Sequence, residues 1–208
     1  MNFVRRVLKA PYRLVNLWRR AMEPAAPWLV LSAVRDLDAA IGPDARGFEW
    51  GSGRSTIYFA KRLKTLVSLE HDAAWHTRVQ ADLKAEGLDG KVELVLRPRR
   101  EGAFDPETAR PSGWLALGYV PRKPHFADYF DSVLNYPDDH FDFVLVDGRA
   151  RVACILNAIP KVAPGGLLVL DNSDRAEYAV VFPLLAAWTP RVFTDGESET
   201  RIFTKPAT

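Results

Sequence analysis

Residues 47–56 read Gly-Phe-Glu-Trp-Gly-Ser-Gly-Arg-Ser-Thr, a short apolar run that breaks into two glycines and then into helix-compatible residues. An apolar strand, a glycine turn and a helix form the opening of a βα unit, in which ligands bind at the carboxyl end of the strand. Gly51 and Gly53 let the backbone turn tightly. The free amides of a helix starting near Ser55 and Thr56 can receive a carboxylate or a phosphate. The same rhythm continues outward. TLVSLEHD (65–72) reads as a strand, and Ala73 to Glu86 as a helix closed by Gly87. KVELVLRP (91–98) and FDFVLVDG (141–148) are further strands, followed by a helix from Arg151 to Val162. Pro164-Gly165-Gly166 then turns the chain into LLVLDN (167–172). Strands alternating with helices predict a doubly wound α/β domain whose sheet is mainly parallel with right-handed crossovers. RVFTD (191–195) and ETRIFTK (199–205), joined through Gly196, predict an antiparallel hairpin at one edge.

The 208 residues, 48% hydrophobic and 26% charged, suit one domain with a full core and exclude wholesale disorder. That domain is placed at 46–208, behind a basic amphipathic helical segment and linker at 1–45. In the segment, Phe3, Val4, Val7 and Leu8, then Leu14, Val15 and Trp18, recur at helical spacing, with Pro11 dividing two short helices. Such an element lies on an anionic membrane face, or else packs on the body or on a partner subunit of a homo-oligomer. The chain's formal charge is +2, yet Arg5, Arg6, Lys9, Arg13, Arg19 and Arg20 all precede the first acid, Glu23. The body is therefore mildly acidic, which argues against a nucleic-acid partner. Cys154 is the sole cysteine, so an internal disulfide and a cysteine-rich zinc site are excluded. No apolar run approaches the roughly 18–20 residues needed to span a bilayer, and no secretory apolar core opens the chain. The expected location is cytoplasmic, with the inner membrane face as the peripheral option. Between Arg99 and Phe126, Pro106, Pro111, Pro121 and Pro124 accompany Trp114 and Tyr119. An irregular stretch of that length reads as a lid over an acceptor pocket, or as a surface insertion packed by its own Trp114 and Phe104.

The second strand ends in Glu70, 19 residues after Gly51. An ionised carboxylate there has two accepting oxygens, the number that a ribose diol needs. A nicotinamide dinucleotide would use the same features, and a nicotinamide-dependent oxidoreductase stays open as an alternative. Against it, Thr56 stands where a pyrophosphate-binding loop has its third glycine. Glu49, ahead of the glycines, would meet a cationic ligand and repel a pyrophosphate. A phosphate-binding Walker loop is absent, since no Gly-Lys-Ser/Thr occurs. The ligand that fits is adenine, ribose and a zwitterionic amino acid on a sulfonium, S-adenosylmethionine.

FEWGSGRST, SLEHD, FDFVLVDGRAR and APGGLLVLDN together resemble the class I S-adenosylmethionine-dependent methyltransferases over residues 46–205. The resemblance implies a seven-stranded Rossmann-like sheet with its last strand antiparallel. It implies that Glu49, Gly51, Ser52, Gly53, Ser55 and Thr56 line the methionine end of the cofactor. Glu70 would take the ribose, His71 would lie near the adenine, and Asp147 would border both cofactor and acceptor. The EWGSG and VDGRAR wording is also similar to bacterial members linked to surface-polysaccharide methylation. A second resemblance is to metal-dependent O-methyltransferases of the catechol and caffeoyl-CoA type. It implies Asp147, Asp171 and Asn172 as ligands of Mg²⁺, to which hard oxygen donors are suited. The lysine that serves that subgroup as general base is missing, and Gly148-Arg149-Ala150-Arg151 stands there. Arginine stays protonated, so Arg149 and Arg151 are expected to bind an anionic part of the acceptor or to neutralise an oxyanion.

Plain structural alternatives accompany these assignments. Asp171 or Ser173 can cap the next helix, Glu49 can pair with Arg54, and Asp138, Asp139 and Asp142 read as a solvated turn. His125 and His140 are either bases or surface residues, and Cys154 is inert core. The expectation is a methyltransferase acting on a hydroxyl of a small molecule or a glycan, with Asp147 nearest the acceptor. The alternative from another class is a module that lost catalysis and scaffolds a membrane or glycan assembly.

Overall fold

The computed structural model describes residues 16–18, 21–22, 26–102 and 123–207. The expected helices before Asn16 and most of the expected lid at 99–126 lie outside the described residues. Helix α1 (Leu31–Ala40) leads into β1 (Arg46–Trp50), α2 (Arg54–Ala60), β2 (Thr65–Glu70), α3 (Ala73–Ala85) and β3 (Val92–Leu96). After a 3-10 turn at Pro124–Phe126 come α4 (Ala127–Phe130), a second 3-10 segment at Asp131–Asn135, β4 (Phe141–Val146) and α5 (Arg151–Ala158). Strand β5 (Val162–Asp171), a 3-10 stretch at Ala176–Leu185, β6 (Thr189–Thr194) and β7 (Glu199–Thr204) complete the chain. The seven strands are ordered β3-β2-β1-β4-β5-β7-β6, and β7 runs antiparallel to both neighbours. The expected doubly wound, mainly parallel sheet with a C-terminal antiparallel hairpin is the observed one.

Burial on both faces explains why β4 is so uniformly apolar, as parallel strands between two helical layers are. Phe143 and Leu145 pack with Leu37, Phe59, Leu63 and Val79 in the layer of α1, α2 and α3. Val144 and Val146 face the other way, toward Tyr129, Phe130, Ile155 and Val181. The helix expected from Arg151 to Val162 stops at Ala158, because Pro160 cannot donate to the helical ladder. Strand β5 begins earlier than expected. Val162 pairs with Phe141 and Leu167 with Phe143, so Pro164-Gly165-Gly166 form an irregularity within the strand rather than a turn before it. Helix α4 and its 3-10 extension were not foreseen. They carry Tyr129, Phe130 and Val133 into the core, where the Trp50 indole donates to the Tyr129 carbonyl at 2.9 Å. Of the N-terminal segment, residues 16–18 and 21–22 are helical, with Leu17, Trp18 and Met22 exposed. Among the described residues no helix is long and apolar enough to cross a membrane.

The strand order reverses between β1 and β4, which opens a crevice at their carboxyl ends. Two backbones meet there. Gly51 has φ +99°, and a Cβ on it would lie 2.8 Å from the Gly148 amide nitrogen. Gly87 shares the left-handed conformation (φ +66°) with nothing within 4 Å. Gly87→Ala should therefore cost only the conformational penalty of about 1–3 kcal/mol, and Gly51→Ala distinctly more. Urea unfolding of both variants checks this, and equal losses would show that the β1–β4 approach is slack.

Candidate active site

A cavity of about 1270 Å³ fills the crevice. That is room for a nucleoside-sized ligand and a second reactant. Gly51, Ser52, Gly53 and Ser55 reach its wall from the β1 loop, Glu70 and His71 from the end of β2, and Asp147, Arg149 and Arg151 from the β4 loop. Four expected residues are not on the wall. Glu49 and Thr56 stand beneath the loop, and Asp171 and Asn172 lie at the end of β5 behind it. His125 and His140 are also absent from the lining.

Side-chain alternation explains the placement of Glu49. Phe48 and Trp50 point into one layer, so Glu49 points into the other, under α2, and is fully buried. Its Oε2 accepts from the Thr56 hydroxyl at 2.6 Å and from the Ser68 hydroxyl at 2.7 Å, while Oε1 has no partner. Thr56 in turn accepts from the Gly53 amide at 2.8 Å. The threonine in the third-glycine position is thus a brace that ties the loop to the sheet. Glu49 does not pair with Arg54. Burial pushes its carboxyl up to about 7, against the opposing hydrogen bonds of Ser55, Ser68 and Thr56.

Glu70 is also buried but solvated by the protein. Its Oε1 accepts from the amides of His71 and Asp72 at 2.7 and 2.8 Å, and Oε2 from the Ser52 hydroxyl at 3.2 Å. Burial raises its carboxyl, but the His71 ring and these amides outweigh burial and hold it below the usual carboxylate range. Glu70 is therefore ionised at neutral pH, with His71 Nδ1 2.7 Å from Oε1. Trp75, which the sequence reading passed over, donates its indole N–H to the Ser52 carbonyl at 2.8 Å and lines the mouth. A tryptophan in the first turn of the helix after the acid is the signal that was available for it. Tyr129 was missed as well. Its hydroxyl lies where a Cβ on Gly148 would be, at 1.9 Å, so only glycine fits at 148.

Arg151 departs most from expectation. It is buried, donating through Nε to the Gly148 carbonyl at 3.1 Å and through a terminal nitrogen to the Asp147 carbonyl and Oδ1 at 2.7 and 2.8 Å. The other terminal nitrogen donates to the Asp171 carbonyl and lies 3.8 Å from Asp171 Oδ2. Arg151 is thus committed to the ends of β4 and β5 rather than offered to an acceptor. Asp171 Oδ1 accepts from Thr200, and Asn172 Oδ1 from Arg175 at 2.7 Å. The three expected Mg²⁺ ligands are held by hydrogen-bond donors, with a guanidinium between the two carboxylates. That arrangement does not fit a divalent cation, and no cluster of three His, Cys, Asp or Glu suited to a metal occurs among the described residues. Burial first, and the neighbouring Asp171 second, push the Asp147 carboxyl up; burial raises Asp171 too, and Arg151 opposes both shifts. Arg149 is exposed and donates to His71 Nε2 at 3.3 Å.

Neither a family model nor a curated protein matches this sequence. Solved structures do. A methyltransferase-like protein from Silicibacter pomeroyi is 24% identical with a TM-score of 0.59, over 87% of this chain and 89% of its own. An O-methyltransferase from Bacillus cereus, in complex with S-adenosylhomocysteine, is 18% identical with a TM-score of 0.55, over 82% and 78%. The O-methyltransferase of tomaymycin synthesis from Streptomyces achromogenes, in complex with S-adenosylmethionine, is 18% identical with a TM-score of 0.54, over 82% and 77%. The chain takes the fold of the class I S-adenosylmethionine-dependent methyltransferases.

Two predictions follow from the buried charges. A carboxyl whose folded pKa stands above its unfolded value contributes stability that is complete below the unfolded pKa and lost as pH rises through the folded one. Relative to Glu49→Gln, the wild-type chain should therefore lose roughly 3 kcal/mol between about pH 4.5 and 7, and little outside that window. Thermal melts of the pair across pH measure this; a difference independent of pH would show that Glu49 titrates normally. Arg151→Met leaves two carboxylates without their cation and should cost about 3–5 kcal/mol at pH 8. The loss should shrink in acid, and adding Asp171→Asn should recover part of it in the same denaturation assay.

Proposed function

We propose that this chain is an S-adenosylmethionine-dependent methyltransferase that methylates a hydroxyl oxygen of a small molecule or a glycan. The observation that carries the reading is the ionised Glu70 carboxylate closing β2 on the wall of the cavity where the strand order reverses. It is an acceptor-only group placed for a ribose diol, beside a loop whose glycines let a ligand approach the backbone. The nicotinamide reading is disfavoured by Thr56. A pyrophosphate is held by free loop amides, and the Gly53 amide is already bound to the Thr56 hydroxyl.

In this reading Ser52 and Glu70 fix the ribose, His71 flanks the adenine, and the turn at Gly51–Gly53 receives the methionine part. Glu49 acts from beneath through Thr56, as a brace. The acceptor hydroxyl lies against Asp147. Bound S-adenosylmethionine would supply the methyl group and keep the carbon–sulfur electron pair on its sulfur, and Asp147 is placed to take the proton of the acceptor hydroxyl. A raised carboxyl is the better base, since general bases work best with a pKa near the operating pH. Arg151 holds Asp147 in position and Arg149 faces the acceptor. Holding the two reactants in line supplies most of the rate. Exposed Leu17, Trp18 and Met22, within a basic segment, support a peripheral contact with an anionic membrane face.

Calorimetric titration with S-adenosylhomocysteine tests the assignment. Wild type should bind it, and Glu70→Ala, its fold verified by circular dichroism, should bind roughly 100-fold more weakly, the loss of two hydrogen bonds to a charged acceptor. Unchanged affinity in the variant, or tighter binding of NAD than of S-adenosylhomocysteine by wild type, would overturn the reading.

A further inference from the structure

Besides Arg151, the cavity wall carries five cations, Arg54, Arg78, Lys123, Arg149 and Arg175, and among the described residues none of these five pairs with a carboxylate. Some cations elsewhere on the surface differ: Lys61, Arg62, Arg191 and Lys205 each hold an acid within 2.9 Å. Three of the cavity's four acids are engaged, Glu70 by two amides and a hydroxyl, Asp72 by capping α3 through the Trp75 amide and Asp147 by Arg151, which leaves Glu177 against the five cations.

Two of these arginines, Arg149 and Arg175, are oriented without being neutralised. Arg149 Nε donates to an imidazole nitrogen of His71. Arg175 donates to the Asn172 amide oxygen at 2.7 Å and to the Tyr178 hydroxyl at 3.4 Å. Uncharged partners fix the direction of each guanidinium and leave its charge for something else. The Arg54 guanidinium lies 5.6 Å from the Trp28 ring centre and that of Arg78 5.1 Å from Trp75, again uncharged partners.

The surplus positive charge does not serve the cofactor proposed above. The sulfonium and ammonium of S-adenosylmethionine outnumber its one carboxylate, so its net charge is positive and like charges in a partly enclosed site repel it. The geometry points to a second reactant that is an anion: the methyl acceptor carries a carboxylate or phosphate group, bound by Arg149 and Arg175 on the wall that Asp147 shares. Arginine forks suit both groups, since each offers paired oxygens. The anion also offsets the repulsion felt by the cofactor, so acceptor and cofactor favour each other's binding. This inference rests on reading the cavity as a methyl-transfer site.

Inorganic phosphate and benzoate are the probes, each at ~10 mM and compared with chloride at equal ionic strength. At least one should raise the melting midpoint of the wild-type protein by about 3–5 °C, the shift given by a ligand near tenfold over its Kd. The shift should vanish in Arg149→Gln/Arg175→Gln and survive in Lys61→Gln, which removes a charge outside the cavity. A response to phosphate alone assigns a phosphorylated acceptor, and a response to benzoate a carboxylated one. If neither anion outperforms chloride, or if the shift persists in the double variant, the inference falls. Titration of wild type with S-adenosylhomocysteine keeps the two readings apart. Homocysteine-nucleoside binding without an anion response defeats this inference alone, whereas an anion response without such binding defeats the methyl-transfer reading.

Discussion

The approach of two backbones, at Gly51 after β1 and Gly148 after β4, is the constraint on which the site depends. With side chains at these positions the loops would be forced apart, since a Cβ on either would lie within about 3 Å of the other's backbone. Their contact fixes the floor of the crevice. On that floor the ends of β2 and β4 present their polar residues toward one space. Tyr129, packed beneath Gly148 and bound through its carbonyl to Trp50, backs the floor from the core side.

Much of this was legible in the chain. The βα rhythm, the two-faced apolar runs and the hairpin at Gly196 gave the sheet, because periodicity and glycine placement are local properties. Glu70 was legible for the same reason, as an acid that ends an apolar run. What was not legible depended on three-dimensional neighbours. Glu49 sits one residue from Trp50, and strand alternation places it under α2, but its hydroxyl partners Thr56 and Ser68 come from two other elements. Arg151 read as a group facing the acceptor because it stands where the resembled metal-dependent enzymes carry a lysine base. In space it is i+4 from Asp147 at the start of α5, where it turns back onto the strand ends. Helix α4 was hidden because it is four residues long, too short to show a helical period in the sequence.

The Arg151 arrangement also changes what kind of chemistry the strand ends support. The resemblance to metal-dependent O-methyltransferases implied a metal site at these residues. With a guanidinium already balancing both carboxylates, charge compensation is built into the chain, and the positive groups left over line the cavity instead. Two populations of arginine result. Arg151 is buried and spent on the fold; Arg149 and Arg175 are exposed and held by uncharged partners.

Glu49, Thr56 and Ser68 form a hydrogen-bonded trio beneath the loop, with both hydroxyls on one carboxyl oxygen. A chain drifting away from this one in sequence cannot give up either hydroxyl singly without costing the buried carboxyl a donor. Among descendants of a common ancestor the three positions should therefore change together, as a polar trio or as an apolar one, and so mark lineages in which the loop is braced in this way.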